Sequence, residues 1–160
     1  MKLDDLIVYQ KAMMVGESCW TIVASWDYFQ KDTIGKQLVK AADSVAANIS
    51  EGFGRYHYKE NIHFNYIARG SLFETKTWIE KAKNRNLINE TDSLKLSNDI
   101  NEIARLLNSY ISKIGKNIAS EPETNYGNFY GSPSDYIENP FSSDHLTTDD
   151  LFSNDQWLNN

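Results

Sequence analysis

The chain has 160 residues, enough for one domain with an appendage, and its 22 acidic residues outnumber its 16 basic ones. Its sequence has no run of about 18 apolar residues, which excludes a predicted membrane-spanning helix. A single cysteine excludes an internal disulfide, and the N-terminus lacks the apolar stretch of a signal peptide, so we expect a cytoplasmic location.

The net charge of −6 hides two regions of opposite charge. All 16 basic residues precede residue 117. The same part of the chain contains 14 acidic residues, so its formal charge is +2. The remaining residues contain eight acidic side chains and no Lys or Arg, a formal charge of −8. The first part is therefore compatible with a nucleic-acid partner, whereas the last part is not.

Two helical patterns occupy the first third of the chain. In the first, apolar or small residues recur at spacings of three and four, which predicts a core-facing stripe. That stripe consists of Leu6, Tyr9, Met13, Gly16, Trp20 and Val23. After a predicted connection over residues 27–32, the second helix should end at Gly52 and Gly54. Its apolar positions are Ile34, Leu38, Ala41, Ala42, Val45 and Ile49.

Two further helical patterns follow. The third runs from about Lys59 to Arg85, and one face carries Phe64, Ile67, Ala68, Ser71, Leu72, Thr75 and Ile79. The fourth is predicted to begin near Thr91 or Asp92, either of which suits a helix N-cap. Its apolar stripe is Leu96, Ile100, Ile103, Leu107, Tyr110 and Ile114. Because the connections are short, we predict an all-α protein with an antiparallel up-down-up-down four-helix bundle over residues 1–118.

Residues 119–160 have a different composition, with all three prolines and many Ser, Asn and Asp residues. The lack of periodicity predicts a disordered, acidic, aromatic-containing C-terminal tail. A solvated tail without a partner remains one interpretation. The alternative is a segment that docks on a partner through spaced apolar side chains, namely Tyr136, Phe141, Leu151, Phe152 and Trp157.

The sequence contains few residues in catalytic or metal-binding patterns, and we expect that the protein is not an enzyme. Glu60 and His63 have the Glu-x-x-His spacing of di-iron bundles, but such sites need two of these motifs and further carboxylates. No Cys/His cluster indicates zinc, and no serine lies at helical spacing from a histidine that could act as its base. We therefore predict no catalytic residue, no metal and no cofactor.

A line of polar residues lies beside the apolar stripe of the second helix and continues on the third. With the glycines of the turn it comprises Ser44, Asn48, Glu51, Gly52, Gly54, Ser71 and Glu74. Buried polar groups need partners, so one interpretation is that this polar seam fixes the register of the two helices and orients the turn between them. Ligand binding is the alternative.

Basic residues recur at helical spacings on the second and third helices. If these helices are neighbours, seven side chains could border one surface suited to phosphates. They are Lys36, Lys40, Arg55, Lys59, Arg69, Lys76 and Lys83. An ordinary mixed-charge surface is the alternative, because Glu80 follows Lys76 by four residues.

From Leu3 to Gly115 the chain resembles the bacterial four-helix-bundle family named for proteins encoded in ribosomal RNA intervening sequences. The resemblance rests on residues 7–12, 48–55 and 67–71, including Asn-Ile-Ser-Glu-Gly-Phe-Gly-Arg. It implies a non-enzymatic bundle that assembles into a homopentamer. By this resemblance, a relative of the chain is the accessory protein of diversity-generating retroelements. That protein is a pentameric ring, and it binds both nucleic acid and a reverse transcriptase. His57 stands where the family commonly has a helix-capping serine.

These observations lead to two functional hypotheses. The first is an oligomeric adaptor that binds RNA or DNA, structured RNA in particular, through a basic face of the second and third helices. The second is a protein-interaction scaffold whose ring presents the acidic tail to a partner such as a reverse transcriptase. In the first hypothesis the tail could also cover the basic face as a phosphate mimic.

Overall fold

Four α-helices form residues 2–118, the part of the chain that the computed structural model describes. Helix α1 spans Ile7–Ala24, α2 spans Lys36–Phe53, α3 spans Tyr58–Asn84 and α4 spans Glu90–Ile118. No strand occurs in this range. The prediction of an all-α four-helix protein is therefore confirmed, while the predicted tail over residues 119–160 lies outside the described residues.

Contacts between α1 and α2 fix their relative direction. Gly16 lies against Asp43, and Val23 lies against Gly35 just before α2 begins. Residue numbers rise along α1 as they fall along α2, so these two helices are antiparallel.

The register of α3 and α4 follows from two polar contacts. The Arg69 guanidinium donates to Oδ1 of Asn108 over 3.3 Å, and Lys83 pairs with Glu90 at 3.0 Å. These helices are antiparallel by the same criterion. Helix α1 packs against α2 and α4, and α3 also packs against both, as expected for an up-down bundle.

The interior is aliphatic and comes from one stripe of each helix. In α2 and α4 the buried positions follow the predicted stripes, except that Tyr110 is half-buried. The largest fully buried apolar side chains are Leu38, Val45, Ile49, Leu72, Ile79, Leu96, Ile100, Ile103 and Leu107. Each side chain of this size contributes about 1.5–3 kcal/mol to folding when it is removed from water.

The predicted core face of α1 is wrong at two of its six positions. Trp20 is 61% exposed and Met13 is 43% exposed, whereas Gly16 and Val23 are buried as expected. The buried face instead carries Val8, Ala12, Val15, Gly16, Cys19 and Val23. Because α1 is apolar around much of its circumference, a spacing of three and four fits more than one face. On α3, Ile67 is likewise exposed rather than buried.

Helix α2 is preceded by helical turns where a loop was predicted. A turn of α-helix spans Tyr28–Gln30 and continues through a π-helical segment, Lys31–Gly35, into α2. Asp27 caps this segment, because its Oδ1 accepts from the Gln30 backbone N–H at 2.8 Å while Gln30 bonds back to Asp27. Because of this reciprocal capping box, the helical segment begins several residues earlier in the chain than predicted.

The connection from α3 to α4 depends on two asparagines. Asn86 has a φ of 56°, the left-handed conformation that commonly ends a helix. Asn89 caps α4 by accepting from the Asp92 backbone N–H at 2.8 Å. The expected N-cap at Thr91 or Asp92 is therefore wrong, since Asp92 is the residue that Asn89 caps.

The turn between α2 and α3 requires a glycine at Gly52, whereas the space around Gly54 could hold a side chain. A Cβ on Gly52 would lie 2.9 Å from the Asn61 carbonyl oxygen and 3.1 Å from Cβ of Phe64. Gly54 has a φ of −76°, so it does not need the left-handed freedom of a glycine cap, and a Cβ there meets nothing closer than 3.6 Å. His57 begins α3 without a side-chain bond to the helix N–H groups.

We predict opposite outcomes for alanine at these two glycines. Gly52→Ala should lower the free energy of unfolding by about 1–3 kcal/mol, because the backbone of α3 must move. Gly54→Ala should be neutral or stabilising by less than about 1 kcal/mol, because alanine restricts the unfolded chain. Urea unfolding followed by circular dichroism measures both, and equal losses would contradict this account of the turn.

The two tryptophans of the first third of the chain should also differ. Trp26 is 6% exposed and its Nε1–H donates to the Leu87 carbonyl oxygen at 3.0 Å. We expect Trp26→Ala to cost about 3–5 kcal/mol in unfolding free energy. Trp20→Ala, the matched control on the surface, should change it by less than about 0.5 kcal/mol. A large loss at Trp20 would place it in the core after all.

Candidate functional site

A groove lies between α1 and α2 in the described part of the chain. Its volume is about 850 Å³, and Gly16 lies in its floor beside Asp43. The side from α1 consists of Tyr9, Ala12, Met13, Gly16 and Glu17. The side from α2 and its C-terminal end consists of Asp43, Ala46, Ala47, Ser50, Glu51, Gly54 and Arg55.

The charges lining this groove are mostly negative. Glu17, Asp43 and Glu51 contribute three carboxylates, against the single guanidinium of Arg55. Arg55 forms a salt bridge with Glu51 and lies 4.7 Å from the centroid of the Phe64 ring. Arg55 thus compensates Glu51 at one end of the groove, while Glu17 and Asp43 form no salt bridge within residues 2–118.

The ionised form of the Asp43 carboxyl is disfavoured in the folded protein. Partial burial, and then the negative charge of Glu17, raise the pKa of the Asp43 carboxyl above its usual range. Beneath it, burial and then the charge of Asp43 raise the pKa of the Cys19 thiol to about 12. Cys19 is therefore a protonated core residue at neutral pH.

The structure separates the seven predicted phosphate-binding residues into groups. Arg69 and Lys83 contact α4, through Asn108 and Glu90, rather than lying at the boundary with α2. Lys76 is half-buried on the same side of α3 as these two, because residues seven apart share a helix face. The α3 residues thus form a basic stripe beside α4, defined as Arg69, Lys76 and Lys83.

The other four predicted basic residues lie on or next to α2. Lys36 and Lys40 are exposed on α2, and Lys59 is exposed on the first turn of α3. Arg55 is also exposed, but it is held by Glu51 and the Phe64 ring.

The polar seam makes its hydrogen bonds mainly along single helices. Asn48 donates to the Ser44 carbonyl oxygen at 2.7 Å, and the Ser71 carbonyl accepts from Thr75 at 2.8 Å. Glu74 accepts from the Trp78 indole at 3.2 Å. Like the salt bridge between Glu51 and Arg55, these bonds join residues four apart on the chain. They do not connect α2 with α3, and the close approach of these two helices occurs at Gly52.

Sequence reasoning missed the buried polar residues that do lie at this helix contact. Asn65 is fully buried, and its amide donates to the Asn61 carbonyl oxygen at 2.8 Å and to Asn61 Oδ1 at 2.7 Å. Tyr110 of α4 also hydrogen-bonds Asn61. Asn65 Oδ1 has no partner among the described atoms. The sequence signal was available, because Asn61, Asn65 and Ala68 follow one another at core spacing.

Within residues 2–118, no cluster of His, Cys, Asp and Glu could hold a metal ion, and no helix there has the length and apolarity needed to cross a membrane. The predicted partner-docking residues from Tyr136 to Trp157 lie outside this range.

We predict that Asp43→Asn stabilises the bundle at neutral pH. A pKa that is raised in the folded state means that ionisation of Asp43 favours unfolding, so the penalty is absent at low pH and appears as the pH rises through the folded pKa. The gain at pH 7 should stay below about 1 kcal/mol because Asp43 is exposed. Urea unfolding at about pH 7 and pH 3 tests this, since the difference should vanish at the lower pH.

The fold of this chain is similar to that of a solved structure. It is the crystal structure of a protein of unknown function from the S23 ribosomal protein family, from Bacteroides thetaiotaomicron. The two chains are 24% identical with a TM-score of 0.59, and the match covers 66% of this chain and 98% of that one. At this identity the likeness supports the fold alone. No curated protein matches the chain.

The sequence match to a family is more extensive. Residues 4–109, about two thirds of the chain and nearly all of the bundle, match the 23S rRNA-intervening sequence protein family. The matched range contains the Gly52 turn, the α1–α2 groove and the basic stripe. The chain belongs to the 23S rRNA-intervening sequence protein family.

Proposed function

We propose that this chain is a non-enzymatic adaptor that binds structured RNA through phosphate contacts centred on the basic stripe of α3. The name of its family refers to intervening sequences of 23S rRNA, which supports an RNA-related role. The formal +2 charge of residues 2–116 is modest, so the arrangement of the basic residues matters more than their number.

The observation that carries this proposal is the way Arg69 is held. Its guanidinium carbon lies 4.8 Å from the centroid of the Tyr66 ring, and one of its nitrogens donates to Asn108. The contact with the ring and one hydrogen bond hold the guanidinium beside α4. Arginine has five N–H donors in a planar fork, so donors remain for a phosphate after this bond is made.

The spacing of the stripe suits a nucleic-acid backbone. Lys76 and Lys83 follow Arg69 at intervals of seven residues, which separates successive positive charges by roughly 10 Å along α3. Such contacts position a nucleic acid without reading its bases. We therefore propose that recognition depends on RNA shape.

Assembly into a ring, which the family resemblance implies, would multiply this stripe by the number of subunits. Two exposed apolar residues of α1 support self-association as part of the proposal. Ile7 is 57% exposed and Met14 is 67% exposed, and they share a helix face because they are seven residues apart.

The proposal predicts that removing three charges from α3 weakens RNA binding more than removing three charges elsewhere. Arg69→Gln, Lys76→Gln and Lys83→Gln together should weaken binding to a structured RNA about tenfold or more. They should also lower the slope of log K against log salt by up to about 3. Fluorescence anisotropy across a salt series measures both quantities on the full chain.

The matched control is the triple variant Lys36→Gln, Lys40→Gln and Lys59→Gln, which removes the same charge from exposed positions. Sedimentation velocity on all proteins reports whether assembly has changed. If only the control variant loses binding, the interface lies on α2 instead. If the unaltered chain does not bind RNA at low salt, the proposal fails and the tail-presenting scaffold becomes the better hypothesis.

A further inference from the structure

The α1–α2 groove has the dimensions of a site for a short helix. From Tyr9 to Glu17, its side on α1 covers nine residues, a length of roughly 12 Å at a rise of 1.5 Å per residue. Several of its lining residues are small and buried, namely Ala12, Gly16 and Ala46. A partner helix can therefore approach the backbones of α1 and α2 closely.

Apolar side chains that the bundle does not use lie along this groove. Met13 lines it and is 43% exposed, and Tyr9 lines it and is half-buried. Trp20, which is exposed, follows Met13 by seven residues and so lies on the same side of α1. Methionine adapts to differently shaped partners, and aromatic residues dominate the energetics of many interfaces.

The acidic residues of the groove are only partly compensated. Arg55 pairs with Glu51, but neither Glu17 nor Asp43 belongs to a salt bridge within residues 2–118. Their mutual repulsion contributes to the raised pKa of Asp43. A cation placed between them would relieve this repulsion. Lys36 and Lys40 precede Asp43 on α2, but they do not line the groove.

This combination selects one class of occupant. RNA and the acidic segment after residue 118 carry the wrong charge, whereas a purely polar cation would leave Met13 and Trp20 exposed. We propose that the α1–α2 groove docks a basic amphipathic helix of a partner protein, with Lys or Arg beside Glu17 and Asp43 and apolar residues on Met13, Tyr9 and Trp20. This site lies on different helices from the basic stripe and does not depend on RNA binding.

The test uses the full chain and a fluorescein-labelled synthetic peptide of about 14 residues. The peptide has leucines at helical spacing and lysines elsewhere, and its control has the same composition in an order without helical periodicity. We expect the amphipathic peptide to bind, and the control peptide to bind at least about tenfold more weakly. Anisotropy measures affinity, and amide chemical-shift changes in a ¹H–¹⁵N spectrum locate the site.

Two variants test the groove itself. Glu17→Gln with Asp43→Asn should weaken peptide binding about tenfold, because the uncompensated charges are lost. Ala47→Trp, at an exposed groove position, should weaken it similarly by filling the space without changing charge. The matched control, Glu60→Gln with Asp99→Asn, removes two carboxylates from α3 and α4 and should leave affinity within about twofold. Circular dichroism confirms that each variant folds.

Several results would overturn the proposal. Equal losses in the groove and control pairs would indicate general attraction between a basic peptide and acidic residues. Shift changes away from α1 and α2, or no difference between the two peptides, would place the binding elsewhere. A change in sedimentation on Ala47→Trp, without any loss of peptide binding, would assign the groove to contacts between copies of this chain.

Discussion

The close packing of α2 on α3 depends on the absence of a side chain at Gly52. The Asn61 carbonyl oxygen and Cβ of Phe64 occupy the space that a Cβ would need. Asn61 is buried at this approach, and Arg55 lies over the Phe64 ring beside it. Asn61 also hydrogen-bonds Tyr110, so the residue that lies against Gly52 connects α3 with α4 as well.

The bundle places different charges on two of its sides. The basic stripe of α3 faces α4, whereas the acidic groove lies between α1 and α2. In a bundle where α1 and α3 each pack on both α2 and α4, these surfaces use different helix pairs. The proposed RNA site and the proposed helix-docking groove would therefore not compete for the same surface.

Sequence periodicity predicted α2 and α4 well because each has a narrow apolar stripe and a polar opposite face. On α1 it was wrong for Trp20 and Met13, which satisfy the same spacing as the residues that are actually buried. Helix starts were missed where Asp27 and Asn89 cap a turn earlier than expected, because several neighbouring residues are equally good caps. The groove could not be predicted, since it depends on which face of α1 meets Asp43. The grouping of the seven basic residues likewise depends on helix order, which brings Arg69 to Asn108.

Cys19 gives α1 a built-in chemical reporter. Its thiol is fully buried, and a pKa of about 12 leaves almost no thiolate at neutral pH. An alkylating reagent can therefore react with the thiol only after α1 has moved away from its neighbours. The rate of that reaction measures how often the first helix separates from the rest of the bundle, without any label being introduced.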